Sequence, residues 1–125
     1  MSYDVEVYGQ RAMTARELVK TVKADRELTA KGDRATGGVG EVGWKCSGEH
    51  CFHVDGPMEV DPDEVPDEWR GNTPPTMFYS IQVPYLVDTS AGFSFEADPR
   101  QLSAALGFAS RLADRLDGLV VDLQA

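Results

Sequence analysis

The chain has 125 residues, 42% of them hydrophobic and 26% charged, and a formal net charge of −9 at pH 7. This length suits a single domain over residues 1–125 that can bury a real core. The negative charge argues against a nucleic-acid partner, because phosphate backbones are held by clustered Lys and Arg, and it argues equally against an anionic membrane surface. It favours encounter with a basic protein.

Residues 1–4 carry no basic region followed by an apolar run, and no apolar stretch approaches transmembrane length. We therefore expect a cytoplasmic protein in which Cys46 and Cys51 are thiols. A disulfide between them, formed on oxidation, is the alternative.

The start of the chain predicts a strand and then a helix. Apolar and acidic residues alternate over residues 3–8, as in a half-buried strand. Thr14 and Glu17 have capping-box spacing, and Met13 and Leu18 are placed as a hydrophobic staple, so a short helix should follow and end near Asp25.

The middle of the chain predicts strands around a glycine-rich segment. Val39, Val42 and Trp44 indicate a strand that leads to Cys46, and residues 51–60 predict a second strand, interrupted at Gly56-Pro57. Residues 38–43 match the G-x-G-x-x-G string of dinucleotide-binding loops. Because no helical pattern follows, we interpret them as a bulged glycine-rich strand.

The last third predicts a loop over residues 61–75 and a strand over residues 77–83 ended or edged by Pro84. Residues 93–95 predict either a short extra strand or apolar cover for the sheet. An amphipathic helix should then begin at Asp98, with Gln101 closing a capping box. Gly118 has the position of a left-handed residue that ends this helix, before a final strand at residues 119–123.

This order of elements predicts an α+β protein with a ferredoxin-like, split βαβ sandwich. Two helices would cover one face of an antiparallel sheet, with the first and last strands placed centrally. The other sheet face would stay open for a partner, a small molecule or a second subunit of a homodimer.

Both cysteines and both histidines lie within eight residues. Thiolate and imidazole groups are the usual zinc ligands, so a zinc site is one hypothesis for Cys46, His50, Cys51 and His53. The spacing is poor, because strand alternation places Cys51 and His53 on one face and His50 on the other. The alternatives are a plain hairpin with buried cysteines, or a catalytic thiol at Cys51, for which no orienting third group is evident.

An acidic segment interrupted by prolines is the candidate partner-binding surface. Its residues are Glu59, Asp61, Asp63, Glu64, Asp67, Glu68 and Trp69. Asp61 and Asp63 have the spacing of an EF-hand start, but Val65 takes the next ligand position and the pattern fails. The open alternatives are a solvated loop and a docking surface for a cationic partner, with Trp69 as an aromatic anchor.

Residues 3–8, together with Leu112-Ala113 and the run from Leu116 to Asp122, resemble small bacterial ferredoxin-like proteins, some of them similar to immunity proteins of toxin systems. The resemblance covers the two ends of the chain and implies a non-catalytic binding protein. Our leading hypothesis is an immunity- or inhibitor-like protein that occludes a basic partner. The alternatives are a small-molecule-binding or sensory domain that uses the open sheet face, and a small metalloprotein with a Cys/His hairpin site.

Overall fold

A computed structural model describes residues 2–33, 35–61, 63, 75–88 and 94–123. The elements in these ranges are β1 (Ser2–Gly9), α1 (Ala15–Lys23), β2 (Leu28–Ala30), β3 (Gly40–Trp44), β4 (His50–Glu59), β5 (Met77–Asp88), β6 (Ser94–Ala97), α2 (Pro99–Leu116) and β7 (Leu119–Asp122). The predicted α+β class is confirmed. Neither helix in this part of the chain is long and apolar enough to cross a membrane.

The sheet is antiparallel, and six of its strands follow the order β2-β3-β4-β5-β1-β7, while β6 pairs with β5 off this path. The chain passes from β1 through α1 to the far edge and returns strand by strand to β5. After β6, α2 carries the chain across β1 to β7, which runs parallel to β5 because both are antiparallel to β1. β1 lies centrally as expected. The prediction that the last strand also lies centrally is wrong, since β7 forms the edge beside β1.

Both helices pack on one face of the sheet and against each other. The inward residues of the central strands are buried there, and Val5, Val7, Tyr79 and Ile81 are 0% exposed. The apolar stripe of α2 closes this core, and the Phe108 ring lies 5.6 Å from that of Phe52, measured between centroids. One face of the sheet is therefore covered by the two helices, and the other face is covered by neither of them.

The two helix starts follow local sequence to different degrees. Thr14 Oγ1 accepts the Glu17 N–H at 3.1 Å, and Glu17 Oε1 accepts the Thr14 N–H at 3.2 Å, so the capping box of α1 is confirmed. Asp98 caps α2 by accepting the Arg100 N–H at 2.8 Å. The capping box expected from Gln101 is wrong, because the Gln101 amide donates instead to the His50 carbonyl, at 3.0 Å.

α2 ends at Asp117, which takes the left-handed conformation with φ 51°. The prediction that Gly118 takes this conformation is wrong by one residue. The glycine is required for a different reason: a Cβ atom there would lie 2.0 Å from the Tyr8 carbonyl oxygen. Gly118 thus lets β7 approach β1.

The middle strands contain two irregularities that decide where side chains point. Val42 pairs with Phe52 but Gly43 pairs with His50, so β4 has a bulge at Cys51. A second shift, between Asp55 and Met58, coincides with the predicted interruption at Gly56-Pro57. Of the two alternatives for Pro84, an end of the strand is wrong, because β5 continues to Asp88 and pairs there with β6.

Candidate functional site

The sheet face opposite the helices carries a polar surface, which we call the polar face. Residues directly opposite one another on antiparallel strands point to the same side. Asp4 pairs with Gln82, Glu6 with Ser80, Asp55 with Ser80, and His53 with both Gln82 and Glu41. Their strand neighbours are the buried core residues, so these side chains point away from the helices. The polar face comprises Asp4, Glu6, Glu41, His53, Asp55, Ser80 and Gln82.

The charge on the strands is one-sided. None of the described strands contains a Lys or Arg, although the chain has 12 such residues. Those that the structure describes lie on the helices or between elements. The polar face brings four carboxylates together on neighbouring strands, with one imidazole among them. It therefore presents a negative potential to solvent, on the side of the molecule away from the basic residues of α1 and α2.

A hydrogen-bonded cluster holds the centre of this face in place. His53 Nε2 lies 2.7 Å from Asp55 Oδ1, and Gln82 Nε2 donates to Asp55 Oδ2 at 2.9 Å. The Asp55 carboxylate is thus fixed through both oxygens. A fixed carboxylate is a good acceptor for an incoming guanidinium or ammonium group, because it needs little reorganisation to bind.

An apolar patch borders the polar face at one end. The Tyr8 and Phe78 rings are stacked with their centroids 5.4 Å apart, and Met58 pairs with Phe78. β4 ends next to this patch, and the exposed residues Glu59, Asp61 and Asp63 leave the sheet there. The rest of the predicted partner-binding segment lies outside the described residues: Glu64, Asp67, Glu68 and Trp69.

A pocket of about 480 Å³ lies between the end of β3 and the N-terminus of α2. Its lining includes Trp44, Cys46, His50 and Arg100. The Arg100 guanidinium carbon lies 5.1 Å from the centroid of the Trp44 ring, which is within the range of a cation–π contact. His50 also borders a second depression, which contains Glu41 of the polar face. The pocket and the polar face therefore meet around the β3–β4 edge.

The four candidate zinc ligands are distributed over different surfaces. Cys46 and His50 are exposed and line the pocket, His53 is on the polar face, and Cys51 is 0% exposed in the core. The expectation that Cys51 and His53 share a face is wrong, because the bulge turns Cys51 towards the helices. Among the described residues, no group of three or more His, Cys, Asp or Glu side chains is arranged to hold a metal ion. The zinc site stays a prediction.

The two thiols differ in chemistry. Burial, assisted by the nearby Asp25 carboxylate, raises the pKa of the Cys51 thiol to about 12. Cys51 is therefore protonated at neutral pH, and a protonated, buried thiol is a poor nucleophile. Cys46 is the thiol that a reagent in solution can reach.

The sequence indicated the acidic side of β1 but not the cluster around Asp55. His53, Asp55 and Gln82 meet only through the pairing of β4 with β5, and the signal in the chain was limited to the alternation of each strand. No family model matches this chain, and no curated protein does so either. The polar face and the pocket are therefore the features of the described residues that indicate a function.

Proposed function

We propose that this protein is a non-catalytic binding protein that captures a basic protein partner through the polar face and occludes it, in the manner of an immunity protein or inhibitor. The observation that carries the proposal is the absence of Lys and Arg from every described strand, beside the four carboxylates of the polar face. A surface of one sign, placed opposite a surface with mixed charge, selects both the sign and the orientation of a partner.

The binding surface has the two components that a protein interface needs. Carboxylates raise the rate of encounter with a cationic surface, and apolar side chains hold the complex once water is excluded. The half-buried Phe78 and Met58 supply the apolar component beside the polar face, and the buried Tyr8 ring supports Phe78 by stacking on it. The exposed carboxylates Glu59, Asp61 and Asp63 add negative charge where β4 ends, and Trp69 stays a predicted anchor outside the described residues.

The fold that we infer is an elaborated ferredoxin-like sandwich. The strands β7, β1, β5 and β4 have the order and directions of that arrangement, and the β2–β3 pair lengthens the sheet. The added strands widen the open face, and Glu41 on β3 brings a further carboxylate to it. We place the protein in the cytoplasm, where both of its free cysteines would stay reduced.

Site-specific photo-crosslinking tests the proposal. A photoreactive residue at Glu41, on the polar face, should trap a basic protein in lysate of the native host, and the same residue at Asp114, exposed on the far side of α2, should not. The purified partner should then associate about ten-fold more slowly when salt is raised from about 50 to about 500 mM. Equal crosslinking from both positions, or an association rate indifferent to salt, would contradict the proposal.

A matched pair of charge variants tests whether the partner associates through the polar face. E41Q and D114N each remove one exposed negative charge, so any difference between them reports position rather than net charge. We expect E41Q to slow association with the trapped partner and D114N to leave it within error.

The zinc-binding alternative has one observation in its favour, which is that Cys46 and His50 line the same pocket. Metal analysis of untagged protein separates it from the binding proposal. Stoichiometric zinc that is lost in both C46S and H50Q would favour a metalloprotein.

A further inference from the structure

The pocket at the N-terminus of α2 has an acidic rim. Three of its lining residues are carboxylates, Glu27, Glu49 and Asp98, against one guanidinium from Arg100. Asp98 already accepts the backbone N–H of Arg100, so the position that an anion would take at this helix start is filled by the chain itself. The pocket therefore favours a cation over an anion.

The pocket already holds one guanidinium group, that of Arg100. Arg100 lies over the Trp44 ring, with its guanidinium carbon 5.1 Å from the ring centroid. Arginine is the side chain that stacks best on an indole face, because its guanidinium is planar and weakly hydrated. Arg100 is exposed and is the resident cation of the pocket.

We propose that this pocket receives an arginine side chain of the basic partner, which replaces Arg100 over Trp44. The partner's identity as a basic protein rests on the proposed function. Two features support an arginine that belongs to a protein: His50 joins the pocket to the depression that contains Glu41 and Lys31, and the polar face continues from Glu41. An arginine can thus anchor in the pocket while its neighbours contact the polar face.

The probe is N-acetyl-arginine amide, with N-acetyl-citrulline amide as its uncharged isostere. The chain has two tryptophans, so a Trp69→Phe background leaves Trp44 as the fluorescent reporter. The arginine probe should quench or shift this fluorescence in a saturable way, and the citrulline probe should not. The arginine probe should also slow the reaction of Cys46 with an uncharged maleimide, since Cys46 lines the pocket and Cys51 is fully buried.

The decisive variant is Arg100→Gln. If the two guanidinium groups compete for Trp44, removing Arg100 should tighten the arginine probe about three-fold or more. Arg115→Gln removes the same charge at the other end of α2 and gauges the effect of net charge alone. Trp44→Leu removes the fluorescent reporter, so its binding is measured from the protection of Cys46, and it should weaken the probe at least as much as R100Q tightens it.

Three results would overturn the inference. They are equal binding of the arginine and citrulline probes, weaker binding in R100Q than in R115Q, and tighter binding of free arginine than of the blocked residue, which would indicate an amino-acid sensor. Failure of the probe while the crosslinked partner still binds would reject the pocket alone. Probe binding without any partner at the polar face would reject the proposed function and leave the pocket standing.

Discussion

Cys51 should make the stability of this protein fall steeply at alkaline pH. Its thiol is 0% exposed, and burial raises its pKa from the ordinary 9.0 to about 12. Between these values the folded state keeps a proton that the unfolded state releases, so the free energy of unfolding decreases as pH rises. The contribution is fully present below pH 9 and lost as the pH reaches about 12, and in total it is worth about 4 kcal/mol.

The measurement is urea unfolding of the wild type and of Cys51→Ala at about pH 8 and about pH 10.5. At the lower pH we expect C51A to be less stable by about 1 kcal/mol, because a buried side chain is truncated. At the higher pH this difference should shrink by about 2 kcal/mol and change sign. Cys46→Ala is the control: Cys46 is exposed, and we expect that variant to follow the wild type. A difference between wild type and C51A that is constant across this pH range would refute the assignment of Cys51 to the dry core.

Three further substitutions test the packing that positions the polar face. Tyr79→Phe removes the hydroxyl that accepts the buried Met13 N–H at 2.9 Å, and it should cost about 1–3 kcal/mol in urea unfolding, whereas a cost near zero would mean that water replaces the bond. Gly118→Ala places a Cβ atom 2.0 Å from the Tyr8 carbonyl oxygen, so β7 should detach, and hydrogen exchange in β7 should accelerate; unchanged protection would contradict the close approach. Gly107→Ala in α2 meets only the flexible tip of a side chain, at 3.4 Å, and should stabilise the protein by up to about 1 kcal/mol; a loss of stability would show that the helix has no room there.

The elements that sequence reasoning located correctly are those determined by local interactions. The start of α1 is an example, since Thr14 and Glu17 satisfy each other within one helical turn. The sequence also predicted the last strand, but it did not predict the position of that strand in the sheet. That place depends on the crossover of α2 over β1, which no neighbouring residues encode.

Predictions failed where a distant strand decides the outcome. Gln101 has the right spacing for a capping box, yet the His50 carbonyl competes for its amide from 51 residues away. Gly118 has the right residue type for a helix end, but the approach of Tyr8 uses the glycine for space, and Asp117 takes the left-handed turn. In both cases a contact with a distant strand overrode the structure that the local sequence pattern predicts.

The bulge in β4 links the fold to the proposed function. Strict alternation would set Cys51 beside His53 on the open side, where a thiol and an imidazole together suggest metal or nucleophilic chemistry. The extra residue turns Cys51 into the core and leaves His53 paired with Asp55. The same bulge sets His50 opposite Gly43, at the border between the pocket and the polar face. The cysteines and histidines that cluster in sequence are thereby separated: Cys51 is buried, Cys46 and His50 line the pocket, and His53 joins the carboxylates of the polar face, which is the proposed partner surface.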